Sequence, residues 1–391
     1  ELLAAVFVLV ASICWLRFLD RGGVFRCIAA VVFFMMGLLS KEHAVAWPVL
    51  AILMYGHRRK KARPGKTLTF QAFATLGIGV VAIMSLYFYQ RGIVLPAALV
   101  GEIPLSDNPL VDAGIFERIT GALAVFYHYL RVTFVPLRLT VDYSANAVAM
   151  PPPALSFEVV LGACAIIGSI GSLIWSLRKR YWDLAFCLSV FAVLYGLLSN
   201  IVFLNTIVVA ERLMYLPSVA VCAVLGLIIS KAILRASQER IRVILCVATL
   251  SIVCGFATRS WSRTYDWRDQ FTLFKSAVDT FPNSARARHN YGAAAMRNGL
   301  LDIAELQFNA ALRIDPSDAA SISSLGELAF SRGRYALAEE RLTAALEMRP
   351  SKKTLARLCP ALVANRKSRR AVEVCRLAAS VLPDDDVLLV Y

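Results

Sequence analysis

The sequence predicts an all-α protein: a polytopic bundle of transmembrane helices followed by a short α-solenoid of helix hairpins. Three observations carry that prediction. Eight apolar runs fill the first two-thirds of the chain, Lys and Arg gather at their ends, and prolines then recur at a spacing of 34. A mean hydropathy of +0.62 with 58% hydrophobic residues exceeds what a water-facing surface allows.

The runs cover residues 2–19, 24–40, 43–56, 68–89, 156–177, 182–203, 213–235 and 241–258. Most approach the ~20 residues that cross the hydrocarbon core. The run 43–56 is short and requires a thinned bilayer or deep packing. Orientation follows from the basic loops. Residues 57–66 hold six Lys/Arg; Arg178–Arg180 form a second cluster; Lys231, Arg235, Arg240 and Arg242 a third; and Arg17, Arg21 and Arg26 a weaker fourth. The positive-inside rule keeps all four in the cytoplasm. The loops at 41–43, 90–155 and 204–212, and the chain after 258, then face outward. Run 117–137 carries Glu117, Arg118, His128 and Arg131 and would break the parity if it spanned. It reads as an amphipathic or re-entrant helix at the outer face.

The net charge of +15 would suit nucleic acid, but the cations sit at the ends of apolar runs, so nucleic acid is excluded as a partner and membrane lipids are expected. Seven of the nine cysteines lie in or beside apolar runs, and no Cys/His spacing suits a metal. Residue 1 is Glu and an apolar helix starts at once, which predicts that the natural start lies upstream.

From residue 266 the pattern changes. Pro282, Pro316 and Pro350 are each 34 apart, and Pro383 follows 33 later. Gly292, Gly299, Ala304, Phe308, Ala311 and Pro316 stand at positions 8, 15, 20, 24, 27 and 32 of a tetratricopeptide repeat. Gly326, Gly333, Ala338, Leu342, Ala345 and Pro350 repeat that register, and Ala371, Cys375, Ala378 and Pro383 continue it more weakly. Small residues let two antiparallel helices approach closely, and the proline ends the second. The predicted division is a membrane domain over 1–258 with an outer-face region at 90–155. A connector and half-repeat follow over 259–284, then repeats at 285–318, 319–351 and 352–385, within 285–391. Cys359 and Cys375 fall at facing positions 8 and 24 of the last unit, where a disulfide can form outside the cytosol.

Three polar clusters lie on the predicted outer face. Lys41-Glu42-His43 is either an ion pair sealing a tight turn or a charged group facing a cavity, where the ammonium meets a phosphate. Asp142-Tyr143 either caps a helix or orients a substrate hydroxyl. Glu211-Arg212 with Tyr215 is either a structural pair or a bidentate phosphate holder, and the guanidinium at a bundle mouth favours the second.

These clusters and their order resemble the transmembrane and tetratricopeptide-repeat containing proteins, protein O-mannosyltransferases of the GT-C class, and their bacterial relatives. The resemblance rests on Glu1-Leu2-Leu3, LLSKEHAVAWP (38–48), SDNP (106–109), PLRLTVDYS (136–144), AERLMYLPS (210–218) and RSWSRTYDWRDQFTLF (259–274). It implies transfer of mannose or a related sugar from a polyprenyl- or dolichyl-phosphate carrier to Ser or Thr hydroxyls outside the cytoplasm. No further cofactor and no metal are implied. An acidic residue of the first outer loop serves as base, and cations hold the departing lipid phosphate. Glu1, Glu42 and Asp142 match acidic positions; Lys41, Tyr143, Glu211, Arg212 and Tyr215 match the outer-face motifs. The acidic pair of that first loop falls upstream of residue 1, which implies that residues 1–391 alone do not catalyse. A concave repeat face would take the acceptor polypeptide along Arg286, His289, Met296, Arg297, Glu327 and Phe330.

Two other readings stay open: a membrane-anchored scaffold for protein–protein contacts, and a lipid-linked glycan ligase or polymerase. The compartment is a bacterial cytoplasmic membrane with periplasmic repeats or an endoplasmic reticulum membrane with luminal ones. The sequence holds no Asn-x-Ser/Thr acceptor, which leans toward the first.

Overall fold

A computed structural model describes residues 1–61, 70–94, 108–143, 150–201 and 204–381. Ser106, Asp107, Ser144 and Pro383, named above, lie outside them. Every regular element among the described residues is a helix. The chain divides into two compact units: Glu1–Leu137 with Ala149–Ala257, and Arg138–Val148 with Thr258–Tyr391. Residues 138–143, expected with the outer-face region at 90–155, group with the repeats.

The first unit contains α1 (Leu2–Arg21), α2 (Val24–Ser40), α3 (Trp47–Lys61), α4 (Phe70–Val94), α5 (Ile115–Phe134), α6 (Phe157–Arg178), α7 (Trp182–Gly196) and α8 (Tyr215–Arg235). α9 (Glu239–Asp266) begins in it and runs on into the second unit. Gly22 and Gly23, at φ 65° and 94°, reverse the chain between α1 and α2 in a region that side chains disfavour. Trp15, Phe34 and Trp47 are fully buried between α1, α2 and α3. Burial requires their polar edges to be satisfied: Trp15 Nε1 donates to the Ala51 carbonyl at 2.9 Å and Trp47 Nε1 to Ser12 Oγ at 3.2 Å.

Among the described residues, five stretches are long and apolar enough to cross a bilayer: α1, residues 76–93 of α4, α6, residues 211–235 and α9. Their apolar side chains point outward, as with Ile167 at 69% and Leu250 at 63% exposure. This unit is that of a multi-pass membrane protein. α7 departs from expectation. Its apolar run continues to residue 203, yet the helix ends at Gly196 after 15 residues. The buried Asn200, at φ 57°, redirects the chain there, and its side chain is taken up by Asn108, Asn205 and the Val208 carbonyl. Run 117–137 is a 20-residue helix, α5, and it is not among the five span-like stretches. It packs on α6 so tightly that a Cβ at Gly162 would lie 2.0 Å from the Leu123 carbonyl oxygen.

The second unit is an array of helix hairpins. α10 (Gln270–Thr280) packs on α11 (Ala285–Arg297); then α11 pairs with α12 (Leu301–Ile314), α13 (Ala319–Ser331) with α14 (Tyr335–Met348), and α15 (Lys352–Ala364) with α16 (Ser368–Val381). Asp269, Ser284 and Asp318 cap three of the helices through side-chain oxygens. Repeat position 8 explains the packing. A Cβ on Gly292 would meet Phe308 at 2.7 Å, and one on Gly326 would meet Leu342 at 2.7 Å. In the last hairpin Cys359 and Cys375 hold those two places and are joined as a disulfide. Position 15 follows a similar course. Gly299 and Gly333 take φ 74° and 73°, and Arg366 takes 58° in their place.

Candidate functional site

The motif residues of the first unit converge at one end of α1, α2 and α8. Two of them share a local build. Lys41 and Ala210 are both extended, at φ −163° and −151°, and each precedes a 3₁₀ turn that opens with a glutamate. Glu42–Ala46 leads into α3 at Trp47-Pro48, and Glu211–Met214 into α8 at Tyr215 with Pro217 two residues on. Proline is tolerated there because first-turn amides have no partner inside the helix. Each turn buries small or sulfur-bearing side chains, Ala44 and Ala46 or Met214, and leaves its charged residues at the surface.

Glu1, at the head of α1, is the centre of the cluster. Its carboxylate lies 3.8 Å from Lys41 Nζ and 3.7 Å from His43 Nδ1. Glu42 faces the other way and pairs with Arg91 of α4, which also donates to the Tyr87 hydroxyl at 3.1 Å. Glu1 and His43 line a cleft with Arg212, Tyr215, Leu198 and Pro217. Its volume of about 20 Å³ gives room for about one water. Arg212 is exposed and has no ion-pair partner among the described residues. Tyr129 of α5 is buried, and its hydroxyl accepts the Ala210 amide at 3.1 Å, fixing the residue ahead of the Glu211 turn. Arg118 donates to the carbonyls of Asn200 and Ile201, each at 3.2 Å. The loop between α7 and Arg212 is thus held from α5 at two points.

Asp142 and Tyr143 belong to the second unit. Asp142 accepts the Ser284 hydroxyl at 2.8 Å, and Ser284 in turn caps α11 by accepting the Ala287 amide at 3.0 Å. Tyr143 is buried with its ring 5.9 Å from Phe281, and Val141 packs on Ala277, Val278 and Tyr291. Asp142 thus supports the Ser284 cap of α11 and is not itself a helix cap.

The expected groove residues stand on α11 and α13. His289 Nδ1 is 3.1 Å from Ser321 Oγ, which donates to Asp318 at 2.5 Å. Burial lowers the His289 pKa, Arg357 and Lys353 lower it further, and Asp318 opposes them. Burial also lowers that of Arg286, with Asp318 opposing it. Arg297 pairs with Gln270 and Glu327 with Arg357. Met296 and Phe330 pack half-buried against the hairpin cores.

Sequence reasoning missed Arg91, Tyr129 and Asn200. Arg91 left a usable signal, a cation at the polar end of an apolar run with Tyr87 one helical turn before it. Tyr129 and Asn200 left none, since both act through contacts 81 and 92 residues distant in sequence. Among the described residues no group of His, Cys, Asp and Glu could hold a metal.

No family model matches the chain. Over 115 residues, 29% of its length, it is 35% identical to Protein O-mannosyl-transferase Tmtc2 of Drosophila melanogaster, with 12% of that protein covered. Over 221 residues, 54% of its length, it is 25% identical to a Caenorhabditis elegans protein O-mannosyl-transferase, with 29% covered. The matches therefore span less than a third of each curated relative. Among solved structures, yeast Tom70 aligns at a TM-score of 0.26 and 10% identity, over 96% of this chain and 69% of that one. A likeness that slight carries no argument.

Proposed function

We propose that this chain is part of a membrane glycosyltransferase. It moves mannose or a related sugar from a polyprenyl- or dolichyl-phosphate carrier to Ser or Thr hydroxyls on the non-cytoplasmic side. The observation that carries the reading is the exposed Arg212, without an ion-pair partner among the described residues, sharing a cleft with the Glu1 carboxylate. The names of the relatives agree with it.

In the reaction the acceptor oxygen forms a bond to the sugar's anomeric carbon as the bond from that carbon to the phosphate oxygen breaks. The hydroxyl proton passes to a carboxylate, and the phosphate leaves with both bonding electrons. A guanidinium suits the growing phosphate charge because it donates two parallel hydrogen bonds and stays protonated. The cleft admits little more than a water, so the phosphate meets Arg212 at the mouth. Glu1 lines that cleft and is the candidate base; Lys41 and His43 keep it oriented. Tyr215, at the first residue of α8, lines the same cleft. The repeat array takes the acceptor polypeptide, and the Cys359–Cys375 disulfide favours an oxidising compartment for it, periplasm or endoplasmic reticulum lumen.

The test is sugar transfer from a polyprenyl-phosphate donor by the full-length protein that contains this chain. Arg212→Ala is expected to lower turnover by about 10²-fold, the usual cost of a lost transition-state donor, with expression unchanged. An unaltered rate removes Arg212 from the site. Transfer to a glycan lipid and not to protein would replace the proposed acceptor.

A further inference from the structure

The ends of α3, α6, α7 and α8 form a patch that the reading above does not use. Lys179 and Arg180 turn the chain from α6 into α7; Arg180 lies at φ 58°, and the Tyr181 amide donates to the Ser176 carbonyl at 2.8 Å. The turn sets Tyr181 and Trp182 side by side, and each ring carries a cation from a different helix. Lys231 Nζ of α8 is 4.7 Å from the Tyr181 ring centre, and Lys60 Nζ of α3 is 5.1 Å from that of Trp182. Trp175 of α6 leans on Tyr181 at 5.1 Å. Nearby carboxylates are already matched: Asp183 faces His57 at 3.2 Å and Asp20 faces Arg58 at 3.2 Å. Lys60, Arg178, Lys179, Arg180 and Lys231 are exposed and have no carboxylate partner among the described residues.

Cations gathered on one patch repel one another unless an anion sits among them. The patch also has a wet side and an oily side. Next to the cations, Ile174, Leu177 and Leu234 are exposed at 45%, 45% and 80%, while Trp175 and Tyr181 stand at the boundary, where interfacial aromatics collect. A free phosphate has no use for the oily side. A phospholipid uses both.

We propose that this patch is a binding site for the headgroup of an anionic phospholipid. The phosphate lies among Arg178–Arg180 and Lys231, the Trp175–Tyr181 pair marks headgroup depth, and the acyl chains run along the exposed flanks of α6 and α8. The ring contacts hold the two lysines in place before lipid arrives, so less side-chain freedom is lost on binding. This inference rests on membrane embedding and not on the glycosyltransferase reading.

The test uses the full chain in phosphatidylcholine nanodiscs containing a minority of phosphatidylglycerol, with retained lipid counted by mass spectrometry after extraction. Phosphatidylglycerol is expected to be enriched on the protein over the bulk ratio. A cation near an anionic surface is worth about a fivefold change in partitioning, so K231Q lowers the enrichment by about that factor and R178Q/K179Q/R180Q/K231Q abolishes it. R297Q, in the repeats, leaves it unchanged. Enrichment that survives in K231Q, or that does not weaken with added salt in the unaltered protein, overturns the site; both readings hold even if the fourfold variant fails to fold. Equal thermal stabilisation by soluble glycerol 3-phosphate also overturns it, by showing that the acyl chains contribute nothing.

Discussion

The two units treat apolar surface in opposite ways. None of the residues of α9 that fall in the first unit is buried, although the helix's mean hydropathy as a span is 2.1. In the repeats, α13 buries seven of its 13 residues and α15 eight of 13. The first unit can leave hydrocarbon outside because lipid covers it; the second stands in water and must hide its apolar face between helices. Close approach therefore means different things in each. At Gly162 the neighbour is Leu123 backbone, which cannot move aside; at Gly292 and Gly326 it is the side chain of Phe308 or Leu342.

The largest expected effect breaks the comparison at that point. Gly162→Ala should destabilise the membrane unit by more than the ~1–3 kcal/mol usual for overpacking, because the α5–α6 contact has to open. Gly292→Ala should fall within that range, since Phe308 can shift. Gly226→Ala has nothing within 4 Å and should be neutral. Thermal unfolding in detergent ranks the three; equal losses would show that these approaches do not govern packing.

Next comes the disulfide. Cys359→Ser should cost the repeat unit about 3 kcal/mol, the loop-closure value for a short closed loop, and leave the membrane unit's melting untouched. A reductant should reproduce the shift in the unaltered protein and leave Cys359→Ser unmoved.

Asp142 and Arg212 sharpen the contrast between the units. Asp142→Ala removes the acceptor that holds the α11 cap and should cost about 1 kcal/mol of repeat stability, with transfer activity falling only as far as folding does. Arg212→Ala should do the reverse. A large activity loss for Asp142→Ala with unchanged melting would restore the substrate-orienting role.

Acid separates the units further. Burial raises the Glu339 pKa, but the hydrogen bonds from Lys367 and Asn365 and the charges of Lys367 and Arg370 outweigh it, so the net shift is downward. The His289 pKa is lowered, first by burial. Both groups bind fewer protons folded than unfolded, so both stabilise the array at neutral pH and lose that contribution as pH falls. The His289 contribution is lost first, below about 6.5, and that of Glu339 below about 4.3. Hydrogen exchange in α13 and α14 should quicken over that interval. In His289→Gln the upper part of the change should vanish; its persistence would assign it elsewhere.

The smallest effect is a gain. Arg366 takes the left-handed place that Gly299 and Gly333 fill, so Arg366→Gly should stabilise the last hairpin by up to about 1 kcal/mol. A loss would mean that its side-chain contacts matter more than the backbone.

Periodicity made much of this legible. The apolar runs and the 34-residue register depend on residues near in sequence, so the helical runs, the hairpins and the facing places of Cys359 and Cys375 could be read directly. The end of α7 could not, because its apolar run continues to 203 and the helix is stopped by Asn200, held by Asn108 across the fold. The site was half legible. Lys41 and Arg212 stood out as charges at the ends of apolar runs and Glu1 through the family resemblance, whereas Arg91 and Tyr129 gain meaning through the partners folding brings to them.

The sequence by itself determined that the regular elements of the described residues are helices, that the first part belongs in lipid and that the last part is a repeat. Burial of apolar area and helix period are local properties, written residue by residue. Only the tertiary structure decided which polar residues meet. It placed Glu1, His43 and Arg212 on one cleft and gave Asp142 to the cap of α11. Ion pairs and hydrogen bonds reach only a few ångström, and the distance that counts is measured through space, not along the chain.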